Sequence, residues 1–156
     1  PYYNAIINLI REYFGVNINI NSSYEDIRAA LQNKPVMIDF TGFGCVNCRK
    51  MEAAVWTDES VKSIITDDYV LIQLFVDDKT PLAEPIEVVE NGQPRKLRTI
   101  GDKWSYFQRT KFGSNTQPFY VLLDNNGQPL NSAYSYDEDI EKYIEFLNTG
   151  LKNYKK

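Results

Sequence analysis

Apolar and polar positions change period several times along the chain, and each change marks an expected element. From Tyr2 to Phe14, residues Ile6, Ile7, Ile10, Tyr13 and Phe14 recur at helical spacing until Gly15 stops them, which predicts an amphipathic helix. An Asn-rich stretch follows. Ser23, Glu25 and Asp26 then open a second helix with Ile27, Ala30 and Leu31 inward, broken by Asn33 to Pro35. The run Pro35 to Phe40 is short, apolar and bounded by breakers, the pattern of a buried strand. Thr41 to Gly44 makes a tight turn, and Cys45 to Trp56 resumes helical character through Met51, Ala53, Ala54 and Val55. Thr57 or Asp58 caps a further helix through Val61, Ile64 and Ile65. Tyr69 to Val76 is apolar enough to be a central strand covered on both faces. Strand, helix and strand in this order predict a parallel pair joined by a right-handed crossover.

From Asp77 to about Gly101, Pro and charged residues dominate, with Ile86 to Val89 expected to pair with Arg95 to Leu97 across Asn91-Gly92. Lys103 to Phe112 reads as a helix with Trp104 and Phe107 on one side, ended by Gly113. Phe119 to Leu123, the turn Asp124 to Gly127, and Pro129 to Tyr134 predict an antiparallel hairpin. Asp137 to Leu151 closes the chain as a helix with Ile140, Ile144 and Leu147 inward. The sum is an α/β chain, and 156 residues suit one domain with a single core.

Composition narrows the function. A formal charge of −4 argues against nucleic acid, whose affinity is built from clustered Lys and Arg. No apolar run approaches the roughly 18–20 residues that span a bilayer, so direct membrane insertion of this piece is not expected. The chain has no histidine, which removes Ser-His and Cys-His catalysis and His-ligated metals. Its two cysteines lie three positions apart, too close to staple a scaffold of large loops.

Cys45-Val-Asn-Cys48 is therefore where the chemistry concentrates. Two thiols at i and i+3 on a first helical turn can open and close a disulfide in place. At the helix start, the Cys45 thiolate meets unpaired N–H groups and the positive end of the dipole, which lowers its pKa and makes it the nucleophile; Arg49 and Lys50 add positive charge. Cys48, one turn inside, is then the resolving thiol that attacks the mixed disulfide. The bland alternative is half a zinc site, but zinc wants four ligands and the chain offers neither a second C-x-x-C nor a histidine, so no metal is expected.

Asp39 lies in the otherwise apolar run Val36 to Phe40. Burial there would raise its pKa toward neutrality and suit it to take the Cys48 proton; on the solvent face of an edge strand it would be an ordinary carboxylate. Pro118 precedes the apolar strand Phe119 to Leu123, and a cis Gln117–Pro118 bond would leave the preceding backbone free to pair with an extended substrate, whereas a trans proline would merely start the strand.

Asp39, the motif Cys45-Val-Asn-Cys48-Arg49-Lys50, and Thr116-Gln117-Pro118 resemble the thioredoxin superfamily over about residues 24–151. More narrowly, Thr41 to Glu52 followed by Val55-Trp56-Thr57-Asp58 resembles the C-terminal thioredoxin-like domain of DsbD-type bacterial thiol:disulfide interchange proteins. The resemblance implies a thioredoxin fold: three α/β/α layers around a mixed sheet, here with an N-terminal extension over 1–22 and an insertion over 77–112. It implies a thiol-disulfide oxidoreductase needing no cofactor beyond its own Cys45–Cys48 disulfide, with Cys45 attacking, Cys48 resolving and Pro118 cis. The domain would lie outside the cytoplasmic membrane, take electrons from a membrane-embedded donor domain and pass them to protein disulfides. Substrate would meet Phe43, Gly44, Gln117 and Pro118. Many relatives carry Trp directly before the first cysteine, where this chain has Gly44, so the shielding of Cys45 differs. The motif leaves open a net oxidase or isomerase, because potential varies among proteins sharing C-x-x-C, and a peptide-binding module with inert cysteines. The insertion is expected either to shape partner choice or to be a passive surface element.

Overall fold

β1 (Val36–Thr41) is buried along its whole length because it has a strand on each side and helices over both faces. The computed structural model describes residues 34–125 and 127–154. The helices expected over Tyr2 to Phe14 and Ser23 to Leu31, with the extension 1–22, lie outside them.

After β1 come α1 (Val46–Ala54), α2 (Glu59–Asp68) and β2 (Val70–Phe75), which pairs parallel to β1 with Val36 opposite Val70 and Thr41 opposite Phe75. β3 (Pro81–Glu90) and β4 (Gln93–Thr99) form a separate two-stranded sheet, followed by α3 (Ile100–Phe112). β5 (Phe119–Leu123) returns antiparallel to β1, Phe40 opposite Phe119, and α4 (Ile140–Asn153) completes the order. The central sheet is thus mixed, in the order β2-β1-β5.

Because side chains alternate along a strand, β1 divides its residues between two cores. Val36, Ile38 and Phe40 pack with Ile72 and Leu74 of β2, Val121 of β5, and Trp104 and Phe107 of α3. Met37 points the other way, among Met51 of α1, Val61 and Ile65 of α2, and Tyr143, Phe146 and Leu147 of α4. Asp39 and Thr41 share the parity of Met37, so the one carboxylate of β1 belongs to the face that α1 covers.

Local signals account for most boundaries. Asp58 caps α2 by accepting from the Ser60 and Val61 N–H groups. Asn91 and Gly92 both take positive φ, the twist a two-residue hairpin turn needs, and the pairing runs through Ile86–Leu97 as expected but extends well beyond it. α3 starts at Ile100, three residues before the expected Lys103, because Thr99 and Asp102 form a capping box. Its first turn presses on the chain after β2: Gly101 N–H donates to the Asp78 carbonyl at 2.9 Å, and a Cβ at Gly101 would lie 2.4 Å from the Val76 oxygen.

Two expectations need correction. Pro129 to Tyr134 is not a strand. It touches β5 only through the bridges Leu123–Pro129 and Tyr120–Tyr134, and between Leu130 and Tyr134 the chain bows away while Asn131 donates to the Phe146 carbonyl. More residues lie on the returning side than on β5, so a regular ladder cannot form there. The closing helix begins at Ile140, with Asp139 as its cap, and its innermost residues are Tyr143, Phe146, Leu147 and Gly150; Ile140 and Ile144 are only half-buried. The helix is present as expected with Leu147 inward, and its deepest line is rotated toward Tyr143 and Phe146.

Candidate active site

Cys45 is the N-cap of α1, held in extended backbone conformation, with its N–H donating to the Gly42 carbonyl at 3.3 Å to close the turn after β1. Its Sγ accepts the Cys48 N–H at 3.1 Å, so the sulfur already occupies the place where a helix start stabilises negative charge. Cys45 and Cys48 are joined as a disulfide, Cα atoms 5.2 Å apart. Cys48 is 2% exposed and Cys45 partly exposed. Phe43 and Val46, at 61% and 66% exposure, flank Cys45 with apolar surface. Phe43 is fixed by stacking on Phe75, ring centroids 4.1 Å apart. Gly44 is exposed beside them.

Asp39 lies beneath this motif on the α1 side of the sheet, 2% exposed in the central strand rather than on a solvent face. Gln73, its register partner on β2, donates to Oδ2 at 3.1 Å, and Oδ1 has no partner among the described residues. Burial pushes the carboxyl up to about 7, the Gln73 hydrogen bond and the Arg49 charge pull it down, and the Glu52 charge adds to the rise. Tyr120, opposite on β5, is raised far above its ordinary value by burial and by the Asp39 charge, so it stays neutral. Tyr143 of α4, also raised mainly by burial, accepts from Trp56 Nε1 at 3.0 Å.

The Gln117–Pro118 bond is cis. Since Phe119 pairs with Phe40, Pro118 stands at the end of the sheet where β1 turns into the cysteine motif. Gln117 is tethered: its Nε2 donates to Gln108 Oε1 at 2.8 Å, and Gln108, buried on α3, donates in turn to the Thr116 carbonyl at 2.8 Å. The register therefore gathers Phe43, Gly44, Cys45 and Pro118 at one end of the sheet, with Asp39 and Cys48 below the surface.

A residue the sequence did not single out belongs with them. Val76 N–H donates to the Thr41 carbonyl at 2.9 Å, which brings Asp77 alongside the turn. Its Oδ1 accepts the Phe43 N–H at 2.8 Å and its Oδ2 the Gly44 N–H at 2.9 Å. Gly42 leaves room for this carboxylate, since a Cβ there would come within 3.2 Å of Oδ2. Partial burial raises the Asp77 pKa, but the Gly44 and Phe43 N–H groups and the Arg49 charge outweigh it and hold the carboxyl below its ordinary value. Arg49 itself donates to the Thr41 hydroxyl at 3.1 Å and pairs with Glu52 at 3.0 Å. Gln73 was hidden in the sequence inside an apolar run and Asp77 in a charged loop; an acidic residue just after a strand that ends level with a C-x-x-C turn was the available signal.

The family model of the thioredoxin-like domain matches residues 24–148. The chain belongs to that family. Among solved structures it resembles a DsbH oxidoreductase at 18% identity and TM-score 0.58, covering 88% of this chain and 86% of that one. It also resembles a thioredoxin from Thermus thermophilus, at 16% identity and TM-score 0.53 over 80% of this chain and 79% of that one. The oxidised C-terminal domain of DsbD from Neisseria meningitidis matches at 14% identity and TM-score 0.52, over 83% of this chain and 91% of that domain. At such identities the likeness is one of fold. No curated protein matches the sequence.

As a thioredoxin-like domain bearing a C-x-x-C disulfide at a helix start, the chain has the equipment of a thiol-disulfide oxidoreductase. Among the described residues no group of three or more His, Cys, Asp or Glu is placed to hold a metal ion, and no helix is long and apolar enough to cross a membrane.

Proposed function

We propose that the chain is a reductase or electron-relay domain that gives electrons to protein disulfides through the Cys45–Cys48 dithiol. The observation that carries this reading is the division between the two sulfurs: Cys45 caps a helix at a partly open surface and Cys48 is sealed beneath it. In the reduced domain the Cys45 thiolate attacks one sulfur of a substrate disulfide, forming a mixed disulfide and releasing the first substrate thiolate, which takes a proton from water. Asp39 accepts the Cys48 proton, through water or directly, and the Cys48 thiolate attacks Cys45 Sγ. That closes the protein disulfide and releases the second substrate thiolate. Two electrons pass to the substrate, and a dithiol donor returns them to the domain. An extended substrate segment lies across Phe43 and Gly44 and along the backbone at Gln117 and Pro118.

The fold likeness to the DsbD C-terminal domain and to DsbH supports an extracytoplasmic setting, with protein thiols and disulfides as partners and a membrane-embedded dithiol domain as donor. No bound cofactor enters these steps. In an insulin-disulfide reduction assay driven by dithiothreitol, Cys45→Ser is expected to lose activity entirely; full activity in that variant would sink the proposal. The direction of flow is read separately, from the equilibrium of the pair with glutathione: a reducing value supports the donor role and an oxidising one, near that of a dedicated oxidase, overturns it.

A further inference from the structure

The turn that presents Cys45 is held from outside by a carboxylate. Phe43 and Gly44 immediately precede the nucleophile, and their N–H groups both point to Asp77, at 2.8 and 2.9 Å. In a turn of this kind two successive N–H groups form a concavity that welcomes an anion. Here the concavity is already filled by an anion of the protein's own. Asp77 thus pins the two residues that lead into Cys45 and holds a negative charge on the residue immediately before it in the chain.

The charges around Asp77 do not cancel this. Arg49 of α1 faces it, but Arg49 is shared with Glu52 at 3.0 Å and with the Thr41 hydroxyl. Asp78, the next residue, turns its carboxylate to the Thr80 N–H at 2.9 Å and adds to the negative side. The hydrogen bonds from the turn keep Asp77 ionised across the neutral range.

We infer that Asp77 is a positioning residue that biases the Cys45–Cys48 pair toward its disulfide, and so toward giving electrons away, by fixing the turn and disfavouring the Cys45 thiolate. The thiolate exists only in the reduced state, so whatever raises its free energy favours oxidation of the dithiol, the converse of a strong oxidant whose reduced form is stabilised. This rests on the redox role proposed above and supplies a reason for its direction.

The test uses Asp77→Asn and, as a second variant that also keeps an acceptor without charge, Asp77→Ser. Each is equilibrated with mixtures of reduced and oxidised glutathione, in which the protein disulfide and two reduced glutathiones exchange for the dithiol and one glutathione disulfide. The Cys45 thiolate is titrated separately by its ultraviolet absorbance. Because Asp77 is exposed and screened by solvent, the expected change is about three- to tenfold in the equilibrium constant toward the dithiol, or about 15–30 mV at 29.6 mV per factor of ten. The Cys45 pKa is expected to fall in both variants. A purely structural role would lower the melting temperature of the oxidised protein and leave both quantities at their wild-type values; that result overturns the inference while leaving the redox proposal standing. A wild-type pair that fails to exchange with glutathione at all overturns both.

Discussion

Asp39 and Asp77 carry the same functional group near the same disulfide, and the fold gives them opposite characters. Asp39 sits inside the sheet with one neutral donor, Gln73, for two oxygens, and burial pushes it up to about 7. Asp77 sits at the rim with two backbone donors, one for each oxygen, and is held below its ordinary value. Desolvation is the first influence on both; what differs is how many N–H groups answer it. A carboxylate with its donors supplied stays charged and can only act as a charge, whereas one left short of donors can exchange a proton near neutral pH. The region below the cysteines is therefore suited to move a proton and the region above them to hold a fixed field.

The largest expected effect tests the buried member. Between an unfolded value of 3.8 and a folded value of about 7, the folded chain keeps a proton that the unfolded chain has released. The Asp39 contribution to stability should thus be greatest below about pH 4, fall as pH rises toward 7, and level off above it. The loss is about 4 kcal/mol at most. In the oxidised protein, urea melts of Asp39→Asn are expected to lack that fall, and a variant whose stability tracks the wild type from pH 4 to 8 would show that Asp39 is not the group responsible. The same variant should release substrate slowly, accumulating mixed disulfide in a stopped assay, by at least the roughly hundredfold that a general base contributes.

Next comes the support of the rim. Gly101 packs so tightly on the segment carrying Asp77 that Gly101→Ala must move backbone, at a cost of about 2–3 kcal/mol, readable as a lower urea midpoint. An unchanged midpoint would mean that α3 and the Asp77 segment are free to slide apart. The smallest effect sharpens the difference in donors. Gln73→Leu removes the one side-chain hydrogen bond on Asp39 and should move the pH midpoint for mixed-disulfide resolution up by about one unit, with little change in the Cys45 titration. A shift to lower pH would reverse the sign assigned to Gln73.

Much of this could be read from the chain in order. The strand–turn–helix setting of Cys45 and Cys48 and the Asn91-Gly92 hairpin depend on neighbours within a few positions, and the structure has them where the pattern put them; the Gln117–Pro118 bond is cis as the family resemblance implied, and Asp39 takes the buried one of the two places the pattern left open. Pro129 to Tyr134 misled because alternation alone does not reveal how many residues a partner strand offers. The early start of α3 is set by the Thr99–Asp102 capping box, a signal the sequence carries in those two residues.

What the sequence by itself determined is the local grammar: the period of each apolar run, the caps, the turns, and two thiols close enough to bond. These are set by interactions along a few residues of backbone, which any reading of spacing can follow. The tertiary structure alone decided which carboxylate would titrate and which would stay charged. That outcome depends on parallel pairing of β1 with β2, which sets Gln73 against Asp39 and carries Asp77 to the Phe43 and Gly44 amides across more than thirty residues of chain. A side chain's pKa is fixed by the water it loses and the donors it gains, and both are counted only after the sheet has closed.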